Sequence, residues 1–166
     1  MTENIYNFRV VERKISGFWE KEKIIEKIKK ARAGKKKFYL LDGPPYVNGV
    51  PHVGHAKTTL AKDLYTKFMI MKGFDVWIQP GFDCHGLPVE TKVEESLGIH
   101  KKSDIEKVGI GKFMNACLKS VLNNEKKWLE FYRRIGAWRG WFEPYLTYMN
   151  YYIESAWWTV KKIHEN

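Results

Sequence analysis

Apolar residues recur three or four positions apart at Phe8, Val11, Ile15, Phe18 or Trp19, Ile25 and Ile28, which predicts a helix over residues 8–31 with one face turned inward. Ser16-Gly17 interrupts the pattern and is the expected place for a bend or a split. Gly34 ends it. Phe38 to Leu41 is a short apolar run of the length and aromatic content of a buried strand. Residues 42–54 hold three Gly and three Pro, and no regular element runs through them. Helical spacing resumes at once with Ala56, Leu60, Leu64, Phe68 and Met71, while Lys57, Lys62, Lys67 and Lys72 lie largely off the stripe and Gly73 supplies the stop. Phe74 to Ile78 reads as a second strand. Strand, glycine-rich bend, helix and strand make a right-handed βαβ crossover, so the predicted fold class is α/β with a parallel sheet, preceded and followed by helices.

Beyond Gln79-Pro80-Gly81 the pattern gives a loop, then a short helix from about Pro88, a residue suited to a first helical turn. Ser103-Asp104-Ile105-Glu106 has the spacing of a capping box for the helix after it. Residues 112–134 predict a longer helix with Phe113, Cys117, Val121, Asn124, Trp128 and Phe131 on one side, where Cys117 serves as a small buried hydrophobe. Gly136, Gly140 and Pro144 make the next stretch irregular, and Asn150 stands where it could cap a last helix over Tyr151 to Ile163.

Composition narrows the class. The 44% apolar content supplies a core of ordinary size for 166 residues and excludes a disordered chain. Seven Trp, nine Tyr and nine Phe give more large apolar surface than a small solitary domain buries, so part of it, Trp157 and Trp158 included, is expected to remain uncovered. The net charge of +10 favours polyanionic partners. Residues 21–37 concentrate it, with nine basic side chains against Glu22 and Glu26, a net of +7. That segment is either a solvated helix end and loop or a nucleic-acid contact. Two cysteines suit a reducing compartment, and no run of about 18 apolar residues offers a membrane span, so a cytoplasmic protein without membrane contact is expected.

The chemistry gathers in two loops. His52 and His55 stand three apart at the mouth of the predicted helix, in the crevice outside the first strand where open α/β sheets bind ligands. A helix start offers N–H groups and a positive dipole end to an anion, and Gly54 leaves no side chain between backbone and ligand. Imidazole N–H groups there can donate to a phosphoryl oxygen as negative charge grows on it. The competing reading is a structural loop whose histidines cap their neighbours. No zinc site is expected, because adjacent residues such as Cys84-His85 rarely aim at one ion. Asp83 follows the second strand and approaches the crevice from the next loop, where its carboxylate can pair with an ammonium or a ribose hydroxyl, or else cap the Gly86 to Val89 turn.

The segment GPPYVNGVPHVGH at 43–55 resembles the His-x-Gly-His signature of the class I aminoacyl-tRNA synthetases, in the form seen in the isoleucine enzymes. GFDCHGLPVE at 81–90 is similar to the companion block of that subgroup, and so are the opening NFRVVERKISGFWEKEKI and the stretch FYRRIGAWRGWFEPYLTYMNYYIESAWW. Four blocks in order are a specific signal. Asn48-Gly49 with Asp83-Cys84-His85-Gly86 fits the isoleucine pattern better than the valine or methionine ones. The resemblance implies the first half of a Rossmann-like nucleotide-binding fold, with residues 1–37 a helical extension and residues 38–166 the first half of the catalytic domain. It implies that His52, Gly54 and His55 contact ATP, the two histidines acting in catalysis, that Asn48 lies near the nucleotide, that Gly43 and Pro44 wall the amino-acid pocket, and that Asp83 holds the α-ammonium. Isoleucine, ATP with its Mg²⁺, tRNA(Ile) and the remainder of a synthetase chain are the implied ligands and partners.

No Lys-Met-Ser-Lys-Ser loop occurs in the sequence, nor a counterpart of the second half of the nucleotide fold, the editing domain or the anticodon-binding region. These 166 residues alone are therefore expected to bind ATP weakly and not to charge tRNA. A different nucleotidyl transferase of the same fold, or a non-catalytic RNA-binding paralogue using residues 21–37, are the alternatives.

Overall fold

The computed structural model describes residues 6–165, which fall into two compact units. The first comprises residues up to Leu41, His52–Ile78 and Leu129–Phe142; the second comprises Asp42–Pro51, Gln79–Trp128 and the residues from Glu143 onward.

In the first unit α1 (Phe8–Lys21) starts from Asn7, whose side chain accepts the Val10 N–H, and runs straight through Ser16-Gly17. The expected split falls instead after Glu22, where Lys23 takes a left-handed φ of 50° before α2 (Ile24–Arg32) begins. A solvent-facing Gly inside a helix costs only about 1 kcal/mol. Turning Ile25 inward against Ile70 and Trp138 fixes the break. Gly34 stops α2 with φ +77° as expected.

Strand β1 (Lys37–Tyr39) pairs in parallel with β2 (Asp75–Trp77), Phe38 opposite Val76, and α3 (Val53–Met71) lies between them in sequence. The predicted parallel crossover is therefore present. The strands are shorter than the apolar runs, and β1 is not a buried strand: Tyr39 is exposed and Leu41, beyond its end, is 95% exposed.

The largest correction concerns α3. Its apolar stripe of Leu60, Leu64, Phe68 and Met71 is exposed, Leu64 to 70%, while the buried positions are Thr59, Asp63, Thr66 and Ile70. The polar face is buried because its groups are satisfied. Thr66 Oγ1 donates to Lys62 O at 2.8 Å, and Asp63 accepts the Trp138 backbone N–H at 2.8 Å and pairs with Lys67 at 2.5 Å. Lys67 donates to Gly136 O at 2.8 Å and stands over the rings of Trp19 and Trp138 at 5.4 and 5.2 Å. Trp19 meets Trp138 and Trp141 edge-on, and Ile25, Ile28, Ile70, Val76, Ile78 and Phe142 complete this core.

In the second unit two-residue strands β3 (Gly81–Phe82) and β4 (Tyr145–Leu146) pair in parallel, in segments that the sequence pattern left irregular. A Cβ on Gly81 would lie 2.1 Å from the Tyr145 ring, so the pairing needs glycine there. Helix α4 (Leu87–Leu97) carries Pro88 in its first turn as expected. The capping box expected for α5 (Ser103–Val108) is absent: Ser103 is already helical, Lys102 occupies the cap position and no side chain caps it. Val93, Ile99 and Phe113 form a core here, with Cys117 half-buried against it. Helix α6 (Ile110–Arg134) buries Phe113, Val121, Asn124 and Trp128 of the predicted stripe in this unit; its last turns belong to the first unit, where Tyr132 is buried and Phe131 half-buried. Asn150 does not cap α7 (Asn150–His164); it is the first helical residue, after Met149. Trp157 and Trp158 on α7 are 68% and 61% exposed, as their apolar excess led us to expect. No helix among the described residues is long and apolar enough to cross a membrane.

Candidate functional site

The start of α3 is built by the two histidines themselves. His52 is the N-cap in extended backbone, and its Nδ1 accepts the Gly54 N–H at 3.1 Å. His55 Nδ1 in turn accepts the His52 N–H at 3.2 Å, and the two rings stack with centroids 3.8 Å apart. This is a reciprocal capping box in which imidazoles replace the usual hydroxyl and carboxylate. The capping reading of these residues thus holds, and it sharpens their chemistry. A ring nitrogen that accepts a hydrogen bond carries no proton, so each neutral imidazole bears its proton on Nε2 and presents that atom as a donor. His52 is exposed and His55 half-buried. Burial first, and then the neighbouring His52, lower the pKa of His55, which keeps it neutral near pH 7.

Gly54 serves this cap directly. A Cβ there would sit 2.9 Å from His52 Cε1 and 3.1 Å from its Nδ1. Gly54→Ala is expected to push the ring aside and break the cap, at a cost of about 1 kcal/mol. Imidazole ¹⁵N shifts of His52 should lose the pattern of a hydrogen-bonded Nδ1 and protonated Nε2, and unchanged shifts would show that the ring tolerates the methyl.

The remaining candidates lie in the second unit. Asp83 N–H donates to Pro45 O at 2.9 Å, and Val47 N–H donates to Asp83 O at 3.2 Å, so the 45–47 segment runs parallel to Asp83 in a single bridge. Helix α6 pins the same loop: Asn124 Nδ2 donates to Val47 O at 2.9 Å and Trp128 Nε1 to Gly49 O at 3.0 Å. Sequence periodicity assigned Asn124 and Trp128 to the core stripe and gave no sign of this second role. Thr147 was missed altogether. Buried after β4, its hydroxyl accepts the Cys84 N–H at 2.9 Å and donates to Asp83 Oδ1 at 3.4 Å. The Asp83 carboxylate, half-buried, also faces His85 Nδ1 at 3.4 Å, and it does not cap the Gly86 to Val89 turn, where Val89 N–H bonds Gly86 O. Gly43 is exposed with open space where a side chain would stand, while Pro44 and Asn48 are half-buried. The structure thus brings together His52, Gly54 and His55 in one unit and, separately, Asp83 with the 43–48 loop in the other.

A parallel strand pair, linked through a helix whose first turn is made from histidine donors and glycine, defines an α/β protein of the Rossmann-like kind. Residues 14–166 match the family described as tRNA synthetases class I (I, L, M and V), and the chain belongs to that family of aminoacyl-tRNA ligases. It is 47% identical over 156 residues to an isoleucine–tRNA ligase of Pyrococcus horikoshii, covering 93% of this chain and 15% of that protein. Identity is 43% over 98% of this chain to the isoleucine–tRNA ligase of Methanothermobacter thermautotrophicus, and 42% over 97% to that of Clostridium kluyveri, in each case 16% of the relative. The chain therefore spans about 15% of the length of the curated relatives it matches.

Proposed function

We propose that these residues belong to a cytoplasmic isoleucine–tRNA ligase, which activates isoleucine with ATP and transfers it to tRNA(Ile), and that further chain completes the enzyme. The observation that carries this reading is the histidine-capped start of α3. Its Nε2–H groups suit phosphoryl oxygens, and the cap forces that tautomer. In the step we assign, an isoleucine carboxylate oxygen bonds to the α-phosphorus of ATP as the bond to pyrophosphate breaks. His52 and His55 donate to the phosphoryl oxygens as charge grows on them, Gly54 lets the nucleotide approach, and Asn48 lies near it. Mg²⁺ comes with the ATP phosphates and neutralises part of their charge. Gly43 and Pro44 line the amino-acid pocket, and Asp83, oriented by Thr147, pairs with the α-ammonium.

Isoleucine-dependent exchange of pyrophosphate into ATP, measured on the full-length protein, tests this reading. Isoleucine should be the best substrate, with valine behind it by the roughly 10- to 200-fold that one methylene allows. Asp83→Asn should weaken isoleucine and valine alike, by roughly ten- to a hundredfold, the worth of a hydrogen bond to a charged group. A changed isoleucine-to-valine ratio would move Asp83 from the amino group to the side-chain pocket, and exchange driven best by another amino acid would overturn the specificity.

A further inference from the structure

We propose that the outward face of α2, with the lysines that follow it, is a docking surface for the phosphate backbone of RNA. Helix α2 turns Ile25 and Ile28 into the core, which leaves Lys27 and Lys30, three apart, on the opposite side, with Lys23 at the left-handed break just before the helix. All three are exposed, as are Lys35, Lys36 and Lys37 between the Gly34 stop and β1. Little on the protein neutralises this surface. Lys27 shares Glu22 at 3.4 Å, an exposed pair that binds weakly, Lys37 stands 3.9 Å from the half-buried Asp75, and Glu26 is the one acidic residue within α2. Lys29, on the inner side, stands over the Phe142 ring at 5.2 Å and so leaves the outward surface to the other three.

The kind of partner follows from what the surface lacks. Within residues 20–37 no large apolar side chain is exposed, so the outward face of α2 itself offers no anchor of the sort that dominates protein interfaces; the exposed Tyr39 and Trp77 lie beyond it on β1 and β2. A membrane-surface helix needs its apolar face free, whereas that of α2 is spent on the core. Closely spaced lysines without an anchor suit a regularly charged backbone, bound by counterion release. Within a family that acts on tRNA, that backbone is RNA. This proposal stands apart from the adenylation reading, because it leaves His52, Gly54, His55 and Asp83 untouched and is measured without ATP or isoleucine.

The test is the salt dependence of binding of the chain to a fluorescently labelled, transcribed tRNA, between about 50 and about 200 mM KCl. Combining Lys23→Gln, Lys27→Gln and Lys30→Gln should lower the slope of log affinity against log salt by about two to three units, with at least a tenfold loss at the low-salt end. The matched combination Lys112→Gln, Lys119→Gln and Lys126→Gln on α6 removes the same net charge and should change the slope by less than about one unit. Combining Lys23→Arg, Lys27→Arg and Lys30→Arg should retain the slope, and circular dichroism should show equal helicity throughout. Equal losses in the α2 and α6 combinations would overturn the proposal in favour of net charge alone. Binding to phosphatidylserine vesicles as tight as to tRNA, lost in the same α2 variant, would overturn it in favour of a membrane surface.

Discussion

His52→Ala in the full-length ligase should lower the rate of isoleucine-dependent pyrophosphate exchange by about 10²- to 10³-fold, the cost of one well-aimed donor to a developing charge, while isoleucine affinity changes little. The substitution also removes a helix cap, because His52 Nδ1 holds the Gly54 N–H. A cap is worth about 1 kcal/mol of stability, so loss of rate and loss of fold have to be separated. His52→Asn does this. Asparagine is a good N-cap and restores the acceptor, yet it places no donor where Nε2 stood, so stability should return and rate should not. Recovery of both would mean that His52 acts only as a cap. His55→Ala should behave like His52→Ala, since its Nδ1 closes the other half of the box. Acid should act in the same place. As pH falls below the ordinary histidine value of 6.5, His55 in the unfolded chain takes up its proton first, while the lowered pKa in the folded form resists it. The unfolded state then binds more protons, so stability decreases from about 6.5 downward to the folded value. The same proton removes the Nδ1 acceptor from the cap.

The histidine pair was legible in the sequence because its position and its spacing coincide with the helix start, and both are local properties. The crossover was legible for the same reason, each element lying within a short window. What periodicity cannot give is the sign of a face. Leu60, Leu64 and Phe68 share one side of α3, but a helical repeat states only that they belong together, and the side that is covered is decided by Trp138 and Ile25 far along the chain. Strands β3 and β4 were illegible because two residues hold no period and their partners are more than sixty positions apart. Thr147 escaped notice for a similar reason: a lone threonine in an irregular stretch gains meaning only when pairing of β3 with β4 sets it beside Cys84 and Asp83. Spacing also misplaced the capping box. The serine pattern at 103–106 has the letters without the hydrogen bonds, whereas the bonds occur at 52–55 in residues that statistics do not favour.

Asp63→Ala is expected to be the most destabilising single change in the first unit, at about 3–5 kcal/mol, the cost of removing one partner from a buried ion pair. Three losses coincide. The Trp138 N–H, bonded to Asp63 at 2.8 Å, is left buried without an acceptor; Lys67 loses its counter-charge; and Asp63, only 7% exposed, leaves a gap that water reaches poorly. Lys67 keeps the Gly136 carbonyl and the two indole faces, which holds the ammonium in place but does not neutralise it. Asp63→Asn should cost roughly half as much, because an amide oxygen still accepts from Trp138 while the charge is lost. The double change Asp63→Leu with Lys67→Met should recover part of the loss, since apolar groups of similar volume remove both charges together. For a chain of this size the alanine variant should lower the thermal midpoint by about 10 °C or more. The effect also reaches the candidate site. Helix α3 carries His52, Gly54 and His55 on its first turn, and the Asp63–Lys67–Trp138 contacts tie its middle to the core, so slackening them should loosen the cap before the unit unfolds. Amide hydrogen exchange at Gly54 should therefore rise in Asp63→Asn under conditions where the core of α3 remains protected. Equal protection of Gly54 in the variant and the parent, or a loss below about 1 kcal/mol in Asp63→Ala, would mean that apolar packing alone seats α3 and that the buried pair is incidental to it.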